Sequence, residues 1–217
     1  MSAPGGDGAV AVLTGDLVGS RALSADRLAK ARGALELAAR DVAAWEPELA
    51  LGALEFFRGD SWQFALARPH RFLRVALFLR ARLKALGRDL DTRIGVGLGP
   101  FERLDPERIS RSTGEAFVRS GAALDGMKRR ERLALYPDGA GAELRAIAML
   151  CAAVADRWSP AQALALAVVM KPVAGGVSHA VVARQTGTAR VTATHALLSG
   201  RWDVLAGVLE TVEEVAA

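Results

Sequence analysis

An apolar, β-branched run, AVAVLTG (residues 9–15), stops at Gly15-Asp16, and 44 positions after Asp16 a second apolar stretch, LEFFRGDSWQFAL, breaks at Gly59-Asp60. A carboxylate at the tip of a buried strand is expensive to desolvate unless something offsets its charge. Two of them brought together repel each other. The usual compensation is a divalent cation, held by one or two carboxylates with substrate phosphates completing its shell. The pair therefore favours a fold that ends two strands at a common point, with Mg²⁺ or Mn²⁺ at Asp16 and Asp60 serving a nucleotide. A simpler reading stays open: Asp16 capping the helix after the first strand, Asp60 serving only its turn.

The remaining pattern supplies such a fold. From Ser24, a suitable N-cap, Leu28, Ala31, Leu35, Ala38 and Val42 recur at helical spacing up to Glu46-Pro47. ELALGALEFF and SWQFALA flank Arg58-Gly59-Asp60 as a hairpin. A helix follows over about 69–86, with Phe72, Val75, Leu79 and Leu83 on one face and Gly87 as its stop. DTRIGVGLG is a strand, GEAFVRSGAALDGMKRR a helix and RLALYP a last short strand. The order β-α-β-β-α-β predicts an α+β, ferredoxin-like sheet of antiparallel strands with helices on one face, which sets the end of the first strand beside the hairpin. A composition shift at DGAGA (138–142) separates this α+β domain, 9–137, from an alanine-rich helical domain, 138–217.

Composition sets the outer limits. The 217 residues are 51% hydrophobic and 24% charged, enough to bury a core, and the net charge of +4 is compatible with an anionic ligand. The longest apolar run, near Met149–Val154, is too short to cross a bilayer, so no membrane role is expected. Residues 1–8, MSAPGGDG, carry no signal-peptide pattern and are expected to be weakly ordered. A lone cysteine, Cys151, excludes an intramolecular disulfide and suits a cytoplasmic protein. Basic residues concentrate in 68–93, where Arg68, Arg71, Arg74, Arg80, Arg82, Lys84, Arg88 and Arg93 oppose only Asp89 and Asp91.

Four motifs carry a family resemblance over roughly 9–137: Gly15-Asp16-Leu17-Val18-Gly19-Ser20-Arg21, Gly59-Asp60-Ser61-Trp62-Gln63, Arg93-Ile94-Gly95-Val96-Gly97-Leu98-Gly99 and Gly114-Glu115-Ala116-Phe117. In this order they resemble the SatD family, and more broadly the palm-type domain of class III nucleotide cyclases and the related GGDEF-type diguanylate cyclases. The resemblance implies metal binding by Asp16, Asp60 and the Leu17 carbonyl, and a triphosphate cradled by Val18, Gly19, Ser20 and Arg21, with Gly59 and Arg93 beside it. It further implies a homodimer and nucleotidyl cyclase or transferase chemistry. In one respect the chain departs from the class III pattern. Aligned on Gly114, the positions of that group's Asn and transition-state Arg hold Val118 and Ala122, and Gly121 stands where SatD proteins often carry Arg.

The carboxy-terminal stretch SHAVVARQTGTARVTATHALLSGRW reads as a helix-turn-helix over about 178–200, with Ala183 letting the helices close, Gly187 making the turn and Ala193 seating the second helix. It exposes Thr188, Arg190, Thr192 and His195 to double-stranded DNA. Two functional readings follow: a metal-dependent nucleotide-binding protein coupled to a helix-turn-helix, or a DNA-binding regulator whose first domain dimerises or senses a ligand.

Overall fold

The computed structural model describes residues 8–215; the expectation for residues 1–7 lies outside them. Strands β1 (Val10–Leu17), β2 (Glu55–Arg58), β3 (Ser61–Leu66) and β4 (Thr92–Gly99) alternate with helices α1 (Ala25–Ala43) and α2 (Phe72–Lys84). Helix α3 (Glu115–Asp125), strand β5 (Leu133–Leu135) and helices α4 (Ala142–Asp156), α5 (Pro160–Val169), α6 (His179–Thr186), α7 (Arg190–Ser199) and α8 (Trp202–Val215) follow. The sheet order is β2-β3-β1-β4-β5. The first four strands are antiparallel neighbours, as the ferredoxin-like plan requires. β5 adds a fifth strand parallel to β4, a pairing that the antiparallel expectation lacked.

Strand alternation divides the sheet into two faces. Leu13 and Leu17 of β1, Phe64 and Leu66 of β3, and Ile94 and Val96 of β4 join the main core with Leu35 of α1 and Leu79 of α2. The opposite face carries Val10 and Val12, Ala65, and Gly95 and Gly97. There α3 lies directly on the sheet, with Ala116 and Phe117 packed on Val10, Val12 and Ala65. Helices therefore cover both faces: α1 and α2 on one as expected, α3 on the other. The glycines of β4 make the second layer possible, because a Cβ at Gly95 or Gly97 would sit 2.4 or 2.1 Å from backbone atoms of α3. The helix ends at Asp125, so Met127–Arg130 leave it for the connection to β5.

Helix α2 is buried on nearly every side, because α4, α5 and α8 pack against its outer surface. Arg74, Arg80 and Lys84 are consequently interior residues. The basic run 68–93 is thus partly inside the molecule, with acidic partners. Helix α5 starts at a capping box: Ser159 accepts from the Gln162 amide while the Gln162 side chain accepts from the Ser159 amide, with Pro160 in the first turn. Ser159→Ala is expected to lower stability by about 1 kcal/mol, measured as a shifted urea midpoint at unchanged slope. No helix of the described residues is long and apolar enough to cross a membrane.

Candidate functional site

The two aspartates meet as the strand order requires. Asp16, next to last in β1, stands opposite Ser61 on β3, and the Leu17 amide donates to the Asp60 carbonyl at 3.2 Å. The hairpin turn is Gly59-Asp60, with Gly59 at φ 70°, a conformation glycine adopts without a steric penalty. After β1 the chain turns sharply at Gly19 (φ 67°) into a single 3₁₀ turn, Ser20–Ala22, before Ser24 caps α1. This turn joins the two motifs: the Ser20 hydroxyl donates to Asp60 Oδ2 in a short hydrogen bond.

Arg93 completes the pair. Register places it directly across from Asp16, which it grips bidentately, Nε to Oδ1 at 2.9 Å and Nη2 to Oδ2. The hydrogen bond and charge of Asp16 hold the guanidinium above its ordinary value, against the lowering effect of partial burial. Trp62, whose ring lies where a Cβ on Gly15 would be, donates Nε1 to Thr92 Oγ1 at 3.0 Å, and Thr92 donates in turn to the Asp16 carbonyl at 2.7 Å. The Val18 amide donates to the Asp91 carbonyl at 2.9 Å. That amide is engaged within the fold.

A cavity of about 540 Å³ opens beside this turn, walled by Asp16, the Leu17–Arg21 segment, Arg93, Arg129 and Arg132. Asp60 is not one of its walls; Ser20 stands between. Arg129 and Arg132 come from the connection between α3 and β5, and reading the sequence did not single them out. Their signal was the basic run KRRER, which the parallel pairing of β5 with β4 carries to the start of β4, beside Arg93. Val118 and Ala122 lie exposed on the outer side of α3, Val118 at 71%, with no polar group to offer.

A divalent ion at this turn would draw on the two aspartates. Among the described residues no three His, Cys, Asp or Glu side chains cluster. Two aspartates offering hard oxygen donors nevertheless match what Mg²⁺ takes when phosphates supply the rest of its shell. Arg93 holds both Asp16 oxygens, so an ion can bind there only if the guanidinium moves to another anion, and the cavity around it suits one. On that condition the residues fit the group.

Thr188, Arg190, Thr192 and His195 lie on other elements. Thr188 sits in the three-residue turn between α6 and α7, its hydroxyl 2.9 Å from that of Thr186, and the other three are on α7. All four are exposed. His179 Nδ1 lies 2.9 Å from the Thr194 hydroxyl and ties α6 to α7, and Gly187 makes the turn at φ 66°.

No family model matches the chain, and no curated protein is similar to it. A solved structure similar to it is the catalytic core of a rhodopsin-guanylyl cyclase with converted specificity, in complex with ATPαS. That structure is 19% identical over 55% of this chain and 73% of its own, with a TM-score of 0.41.

Proposed function

We propose that this chain binds a nucleoside triphosphate together with Mg²⁺ or Mn²⁺, as a SatD-type protein with a palm-like domain. The observation that carries the reading is one cavity walled by Asp16, with Asp60 tied to its edge by Ser20, and ringed by Arg21, Arg93, Arg129 and Arg132. Carboxylates alone would suit a cation and arginines alone an anion. Both together suit a cation carried by a polyphosphate. Asp16, Asp60 and the Leu17 carbonyl would hold the ion, which when bound neutralises phosphate charge. Gly19, Ser20 and Arg21 would cradle the phosphates, since the Val18 amide is spent on Asp91. Arg93 would pass from Asp16 to a phosphate oxygen as ligand enters. Gly59 keeps the hairpin tip open beside them. The reading stops at binding, because α3 presents Val118 and Ala122 where class III enzymes place polar catalytic side chains.

The test is thermal unfolding with each of ATP, GTP, CTP and UTP, with and without Mn²⁺. Ligand at a hundredfold excess over its Kd adds about 2.7 kcal/mol of stability. Wild type is expected to show that rise with one or more nucleotides only when metal is present. Asp16→Asn and Asp60→Asn should each abolish it. An equal rise in both variants would return the aspartates to cap and turn duty.

A second reading, as a DNA-binding regulator, is supported by the exposed polar residues Thr188, Arg190, Thr192 and His195 on the α6–α7 pair. Phosphate neutralisation dominates DNA affinity. Arg74, Arg80 and Lys84 are buried and cannot supply it, so a homodimer presenting two Arg190 side chains is the form this reading takes.

A further inference from the structure

The side chain of Arg80 is fully buried, and its donors reach three separate groups. Nε and Nη2 clasp Asp91 at 2.9 and 2.7 Å, Nη2 also reaches Asp156 Oδ1 at 2.6 Å, and Nη1 donates to the Ala152 carbonyl at 3.2 Å. Lys84 adds a bond to the Asp156 carbonyl at 3.1 Å. Asp156 and Ala152 belong to α4, outside the sheet. Asp91 begins the other half of the chain of contacts. Its carbonyl receives the Val18 amide, and its Oδ1 accepts from the Thr92 amide at 2.9 Å. Thr92 in turn bonds the Asp16 carbonyl. Every link from α4 to the Asp16 turn is thus a direct hydrogen bond. The guanidinium itself is buried, and of its two carboxylate partners Asp91 is mostly buried while Asp156 keeps its outer side in solvent, so the bonds to Asp91 are the ones water replaces least readily.

We propose that Arg80 is a positioning residue for the Asp16–Arg21 turn, and that Asp156 on α4 steadies that turn through it. The planar fork fixes the direction of the Asp91 carboxylate. That direction fixes the segment Asp91-Thr92, and the segment holds β1 at two points, the Val18 amide and the Asp16 carbonyl. Without the Asp156 carboxylate, the guanidinium keeps its grip on Asp91 and the Ala152 carbonyl but loses its charged partner on α4, and with it the bond that fixes the far edge of the fork. The consequence for ligand binding rests on the proposed nucleotide site; the positioning itself does not.

Hydrogen exchange on the full, ligand-free chain separates the two. Asp156→Ala is expected to speed exchange in peptides covering Leu17–Ala22 about fivefold or more, with the β2–β3 hairpin unchanged. Arg80→Lys, which keeps the charge but loses the fork, should do the same. Asp203→Asn, which removes the exposed Arg201–Asp203 pair at 3.6 Å, should leave the turn at its wild-type rate. Wild-type exchange at the turn in Asp156→Ala overturns the proposal. A rise spread evenly over β1–β4 overturns it too, since that marks a general loss of stability. Absence of any metal-dependent nucleotide shift in wild type would strike the functional reading and leave the exchange result standing.

Discussion

Gly97→Ala should cost about 3 kcal/mol of stability or more, read as a lower urea midpoint at unchanged slope. The added methyl would lie 2.1 Å from the Ala116 carbonyl oxygen and 2.5 Å from the Ser120 amide nitrogen. Both are backbone atoms of α3, so no side chain can rotate out of the way. Either the helix lifts from the sheet or β4 bends. Lifting the helix would also separate the Ser120 hydroxyl from Thr14, 2.7 Å away, leaving Thr14 only the Gln63 amide that donates to it within the sheet at 2.9 Å. Gly121→Ala is the matched control. It lies on the same helix with open space at its Cβ, and should gain up to about 1 kcal/mol from better helix propensity. A loss below 1 kcal/mol for Gly97→Ala would mean that α3 slides freely on the sheet.

Asp91→Ala should cost about 3–5 kcal/mol near neutral pH, because it leaves a fully buried guanidinium without its principal counter-charge. Burial pushes the Asp91 carboxyl upward. The hydrogen bonds and charge of Arg80, helped by Lys84 and the Thr92 amide, more than reverse this and hold it below the ordinary range. A carboxylate depressed in the folded state contributes its stabilisation in full above the unfolded value, near 3.9. That stabilisation fades as pH falls through the lower folded value. The gap between wild type and Asp91→Ala should therefore be wide at pH 7 and begin to close only once pH falls below about 3.9, closing further as pH drops through the lower folded value, in parallel urea titrations. A gap that stays constant across that range would show that Asp91 keeps its charge in both states.

The meeting of Asp16 and Asp60 was legible because both end strands, and the β-α-β-β-α-β order puts those ends together. Ser24 was legible as the start of α1 because capping is local chemistry, and its hydroxyl does accept from the Arg27 amide. Arg93 was harder: that an arginine opens β4 is plain from the sequence, but its grip on Asp16 depends on cross-strand register. Arg80 was invisible for a different reason. The periodicity of α2 shows one apolar face, with Phe72, Val75, Leu79 and Leu83, and leaves its arginines for solvent. What buries them is α4, α5 and α8, which come at least 58 positions later than the end of α2 and carry no mark of their destination. The glycines of β4 resembled a family motif. Their local work is to admit α3, and only the second layer reveals it.

Helix α2 serves two neighbours at once. Its apolar side completes the sheet's core, and its other side is the floor on which α4, α5 and α8 rest, so one continuous set of buried residues runs from Leu13 through Phe78 to Leu209. Recombination that moved the first 137 residues into another protein would carry along a surface shaped for helices left behind, including arginines with their counter-ions missing. Drift in the two halves is tied in the same way. A larger side chain accepted on one side of α2 must be answered on the other, so the two halves are expected to have been inherited, and altered, together.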